Sequence, residues 1–221
     1  MSATVLLPPE TFVAEMRAQV EAYCRSLDDR LPAYSYIPLT TDEQRLLVLQ
    51  SRLYNEIRAA DVYGGWLRTT PEFAVKRLAA HNAAEELGHA QLLIRQLEAR
   101  GVDPFAYTPP PAQVALFNTL EGLDSTVERL AAFPLAGEVL ASYLIRKALA
   151  SPAVPEWIKE PYRRIGAEEE GHGDYPLELL VRYATTPEAQ ARVRRGVALG
   201  IRLRDQYFRE LDEMVFAGQR W

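Results

Sequence analysis

Cysteine is nearly absent: Cys24 is the sole one in 221 residues. An internal disulfide and a metal site built on paired cysteine thiolates are both excluded, and a reducing, cytoplasmic location is expected. Long apolar runs are missing too. No segment approaches the ~20 apolar residues of a membrane span, and the opening MSATVLLPPE has no basic region ahead of its short apolar run, so neither a membrane nor an export signal is expected. Positive charge is not in excess. Lys and Arg number 25 against 30 Asp and Glu, a net charge of −5, whereas nucleic-acid binding needs a basic face to displace counterions from phosphates. Runs of alternating β-branched residues are also lacking. What is present is apolar residues, 48% of the chain, enough for one sizeable core. They recur at three- and four-residue intervals almost throughout, which predicts an all-α fold in a single domain.

Boundary signals divide the pattern. A first helix is expected over residues 9–27, followed by a loop. Thr41 is a candidate N-cap for a second helix, reaching about residue 68. Pro71 suits the first position of a third, which ends near residue 100 at Gly101, a natural left-handed cap. Three consecutive prolines at 109–111 then favour an extended crossover over a helix. A fourth helix is expected over residues 125–150 with a kink at Pro134. A fifth spans 155–183, bent or interrupted near Pro161 and Pro176. The last runs over 187–216. Two helical hairpins joined by a long crossover make a four-helix bundle over residues 41–183, with extra helices before and after it.

Each hairpin carries the same acidic signature. Within HNAAEELGHAQLL, Glu86 and His89 are three residues apart and share one helix face; within GAEEEGHGDY, Glu169 and His172 repeat the spacing. Glu56, on the face of Leu49, Leu53, Ala60 and Tyr63, and Glu138, on the face of Ala131, Leu135 and Ile145, are the partners expected from the other two helices. Their heights agree. Twelve residues separate Glu56 from Arg68 and fifteen separate Pro71 from Glu86, about 18 and 22 Å at 1.5 Å per residue. The second hairpin gives about 18 and 21 Å by the same count. Four carboxylates crowded in a low-dielectric core repel one another and take up protons unless cations compensate them. Two divalent ions cancel the four charges. Four Glu and two His form the set with which helical bundles hold two iron ions; manganese or a mixed Mn/Fe pair suits the same oxygen and imidazole donors. Glu85 and Glu168, each four residues before a ligand histidine, are candidate acceptors for an imidazole N–H.

Other residues carry weaker signals. His81 lies off the Glu86 face and reads as a surface or core histidine. Gly88 and Gly171, each just before a ligand histidine, fit either close helix packing or room beside the metals. Tyr54, Tyr63 and Trp66 read as core packing, with an electron relay as the functional alternative. Arg146, Lys147, Arg163 and Arg164 read as exposed, with the mouth of a site for an anionic substrate as the alternative. On the last helix Val193, Val197, Ile201, Tyr207 and Leu211 mark an apolar stripe that covers the bundle or a partner subunit.

With Glu56, Trp66 ten residues on, Pro71, EELGH at 85–89 and EEEGH at 168–172, the sequence resembles the ferritin-like di-iron proteins over roughly residues 41–183. Within them it looks most like the catalytic subunit of the phenylacetyl-CoA epoxidase family. The resemblance implies Glu56, Glu86, His89, Glu138, Glu169 and His172 as ligands of two iron ions. It also implies an oxygenase or oxidase that uses dioxygen on an organic substrate, an aromatic acyl-CoA thioester in that family. Electrons have to come from an external reductase, because the chain has no dinucleotide-binding glycine fingerprint and no cysteine-rich cluster motif. A partner subunit or a homo-oligomer is implied as well. The alternative is a bacterioferritin- or rubrerythrin-like protein that oxidises and stores iron or scavenges peroxide.

Overall fold

The computed structural model describes residues 6–169 and 174–217, and among these the regular structure is all helical, with no strand. Helix α1 spans Pro9–Ser26, and two short 3-10 turns follow at Asp28–Arg30 and Ala33–Ser35. Helix α2 spans Asp42–Thr69. It starts at a capping box, in which the Thr41 hydroxyl accepts from the Gln44 N–H and the Gln44 side chain accepts from the Thr41 N–H. Helix α3 (Phe73–Glu98) returns antiparallel along α2, and Gly101 takes the left-handed φ of 70° expected after its end. Helices α4 (Pro111–Glu121), α5 (Thr126–Leu130), α6 (Val139–Ala150), α7 (Glu156–Glu169), α8 (Asp174–Tyr183) and α9 (Pro187–Phe216) complete the order. Among the described residues no helix is long and apolar enough to cross a membrane.

Two expectations need correction. The proline-rich crossover is not wholly extended, because α4 forms within it. Pro111 sits in the first turn, where a missing N–H costs nothing. Ala112, Leu116, Phe117 and Leu120 then bury one face. The fourth expected helix does not simply kink at Pro134. Between α5 and α6 the backbone widens into a π-helical segment, Ala131–Glu138. Pro134 has no N–H to offer an α-turn, and its ring crowds the preceding carbonyls; the wider turn accommodates it without ending the helix. Pro161, by contrast, lies inside an intact α7.

Helix α9 clasps the assembly. Its Val193, Val197, Tyr207 and Leu211 are buried within the chain itself, while Ile201 is half-buried. The apolar stripe therefore covers this chain's own bundle. Contact with α5 and the π segment is backbone-close: a Cβ on Gly200 would stand 2.5 Å from the Ala132 carbonyl oxygen, and one on Gly196 2.9 Å from that of Glu128. Polar ties fix its register, with the Tyr207 and Ser51 hydroxyls 2.7 Å apart and Asp212 accepting from the Ala33 N–H at 2.7 Å. One contiguous apolar core runs through all these elements.

Candidate metal centre

Glu56 on α2 and Glu86 and His89 on α3 converge as their spacing predicts. One ligand atom from each lies within 4.8 Å of the others. Nδ1 of His89 is 3.5 Å from a Glu86 carboxylate oxygen and 3.9 Å from one of Glu56. His89 is 3% exposed, and the two glutamates 13% and 16%. Two oxygen donors and an imidazole, shielded this far from water, can hold a metal ion. The antiparallel hairpin brings the three to one level, and the i, i+3 spacing puts Glu86 beside His89.

Glu138 lies outside that tight group but lines the same cavity of about 90 Å³ as Glu56 and Glu86. It stands at the last position of the π segment. Its Oε1 accepts from the Tyr63 hydroxyl at 3.1 Å and from the Asn82 amide at 3.2 Å. Both donors belong to the first hairpin, so Glu138 is held by the helices that carry Glu56, Glu86 and His89. His172, with Gly171, lies outside the described residues, as do the side chains of Glu168 and Glu169. Glu85 stands with its carboxylate 3.2 Å from Nε2 of His81, a largely exposed histidine. Gly88 is exposed, and a Cβ there would meet nothing within 4 Å. Neither close packing nor room beside the metals accounts for that glycine, and nothing in the structure explains it.

The electrostatics fit cation binding. Burial, followed by the neighbouring Glu86 carboxylate, pushes the pKa of Glu56 well above the ordinary carboxylate range. Without a metal, Glu56 therefore keeps its proton to higher pH than an ordinary glutamate; a divalent ion bound there would displace it. Burial and then Glu138 likewise raise the Tyr63 phenol, which remains a donor.

Two buried arginines line the same cavity and carried no signal that named their role. Arg52, one turn before Glu56, has its guanidinium carbon 3.4 Å from the centre of the Tyr34 ring and 5.3 Å from that of Tyr162. Burial opposes its charge, but the surrounding tyrosines and Glu56 outweigh that and keep it a cation. Arg204 on α9 donates to the carbonyls of Ala132 (2.8 Å) and Gly200 (3.0 Å), and burial lowers its pKa to about 10. The available clue was a charged residue on an otherwise apolar helix face. Asn82, one turn before Glu86, offers the same clue. Of the aromatic stripe, Tyr63 and Trp66 are fully buried and meet edge to face at 5.4 Å, packing with Phe133; Tyr54 is half-buried against Phe117. Arg163 and Lys147 are paired on the surface, with Glu156 and Asp28. No protein-family model and no curated protein matches the chain.

Proposed function

We propose that the protein is a dinuclear metal oxygenase or oxidase of ferritin-like architecture, in which Glu56, Glu86, His89, Glu138, Glu169 and His172 hold two iron ions. The observation that carries this reading is the convergence of Glu56, Glu86 and His89, with Glu138 lining the same cavity as the two glutamates. The ions would supply dioxygen reduction: one oxygen atom enters a C–H bond of an organic substrate and the other leaves as water, with two electrons and two protons from an external donor. The chain's own residues bind, orient and exclude water. Tyr63 and Asn82 fix one carboxylate oxygen of Glu138. Arg52 and Arg204 offset negative charge around the cavity without occupying a ligand position. A reductase is the expected partner. Iron and manganese both suit the donors, an aryl-CoA thioester is the first substrate to try, and the cytoplasm is the expected location.

The test is metal analysis of purified protein reconstituted anaerobically with Fe(II), with optical spectra on admission of oxygen. Two ions per chain are expected, with His89→Ala and His172→Ala each losing one or both. A protein that retains none, or variants that bind as the parent does, would reject the centre. Gel filtration with an Fe(II) titration separates this reading from iron storage. A small oligomer stopping at two ions per chain supports it; a large shell accumulating hundreds of irons overturns it.

A further inference from the structure

A second, larger cavity of about 540 Å³ lies beside the metal centre, walled by α1, the π segment, α6, α7 and the start of α8. Its volume falls in the range of about 300–1,000 Å³ typical of small-molecule sites. Glu138 and Ile145 line both cavities, so the chamber abuts the helix turn that presents the proposed ligand. Leu135, Val139, Ile145, Leu149 and Leu177 give it an apolar wall.

Four arginines also line it: Arg17, Arg25, Arg146 and Arg163. Two are occupied. Arg17 pairs with Glu21 at 3.0 Å, and Arg163 takes both carboxylate oxygens of Glu156. Arg25 and Arg146 have no carboxylate partner among the described residues. They lie at the same end. Asp28, just past α1, accepts from the Tyr143 hydroxyl at 2.6 Å and pairs with Lys147 at 2.7 Å, which sets the end of α1 against the end of α6. The buried Cys24, next to Arg25 on α1, also lines the chamber. Burial and then Glu21 hold its thiol up to about 11, while Arg146 and Arg25 pull the other way. Eight residues along α6 separate Arg146 from Glu138, about 12 Å at 1.5 Å per residue. The chamber thus has two uncommitted cations at one end, an apolar body, and the metal centre's carboxylate at the other.

We propose that this chamber binds an apolar organic acid, its carboxylate held by Arg25 and Arg146 and its apolar body lying along α6 toward Glu138. The Glu138 end rests on the metal-centre reading above. Guanidinium forks match carboxylates in shape as well as charge.

Calorimetric titration of the full chain, metal-free and metal-loaded, with decanoate and with 4-phenylbutyrate tests it. One acid per chain is expected, weakened by salt, with the neutral decanamide at least tenfold weaker. Arg25→Gln and Arg146→Gln should each weaken decanoate by about tenfold, the scale of a lost charged hydrogen bond, and Arg209→Gln, at a surface arginine on α9 outside the chamber, should leave it unchanged. Circular dichroism identifies any variant that loses the fold. In Co(II)-loaded protein decanoate should perturb the visible bands; an unperturbed spectrum at saturation overturns the placement against Glu138. Equal binding by parent and double variant, by acid and amide, or binding of decanoyl-CoA with none of the free acid, overturns the carboxylate site. Acid binding is read in the metal-free protein as well, so a chain that binds two ions but no acid rejects this inference alone. One that binds acid but no ions rejects the metal centre alone.

Discussion

The α2–α3 hairpin and the helix carrying Glu138 present carboxylates to one cavity on different backbones. α2 and α3 are unbroken α-helices of 28 and 26 residues. The other helix widens into eight residues of π geometry that end at Glu138. Regular α periodicity is indispensable where two side chains on one helix must be neighbours, as Glu86 and His89 are at i, i+3. A helix supplying one carboxylate has no such constraint, and a wide turn can aim it. The price is dependence on neighbours, because the π segment is braced by α9 and by Arg204, whereas α2 and α3 are braced chiefly by each other.

The largest test of this contrast is metal loading. Ions at ~1,000-fold excess over their dissociation constant should stabilise the fold by about 4 kcal/mol. Thermal melts with and without Fe(II) should show most of that lost in His89→Ala and none lost in His81→Ala. Next comes a matched pair of glycines. Gly200→Ala drives a methyl into the Ala132 carbonyl and should cost about 1–3 kcal/mol in urea unfolding. Gly64→Ala, with nothing within 4 Å, should instead stabilise α2 by up to ~1 kcal/mol. Similar effects at both sites would erase the distinction between braced and free-standing helices.

Smaller again is Tyr63→Phe, which removes one of the two described donors to Glu138. Stability should fall by about 1 kcal/mol, and affinity for the more weakly held ion by roughly tenfold, read by competition with a chelator. The smallest effect is a slope with pH. In metal-free protein Glu56 keeps its proton at pH values where the unfolded chain has lost it, so the folded state binds more protons. Its contribution is complete below the ordinary glutamate pKa and is lost as pH rises toward the folded value. Glu56→Gln should flatten that decline in denaturant midpoints. Metal affinity should run the opposite way, rising with pH as the ion displaces the proton.

Much of this was legible in the sequence wherever local chemistry decides. Thr41 caps α2, Gly101 follows α3, and α9 runs over the residues its apolar period and Pro187 indicated. The level counts for Glu56 and Glu86 held because an intact α-helix has a fixed rise. Reading failed where proline had two meanings. Pro111 begins a helix although three prolines in a row suggested none, and Pro134 widens a turn that was expected to kink. The partners of Glu138 were hidden for another reason. Tyr63 and Asn82 meet it only through the relative rotation of separate helices, which no spacing along one helix encodes. Arg52 and Arg204 each interrupt an apolar face, a cue that marks a buried cation without naming what it serves.

The seam between α9 and the π segment also fixes a sequence of events. Among the described helices α9 is the last to leave the ribosome, yet its glycines and Arg204 hold the turn that ends at Glu138. A nascent chain can therefore pair α2 with α3 and gather Glu56, Glu86 and His89 while Glu138 still lacks its bracing. Those three side chains can come together early in synthesis, whereas Glu138 waits for α9 to dock.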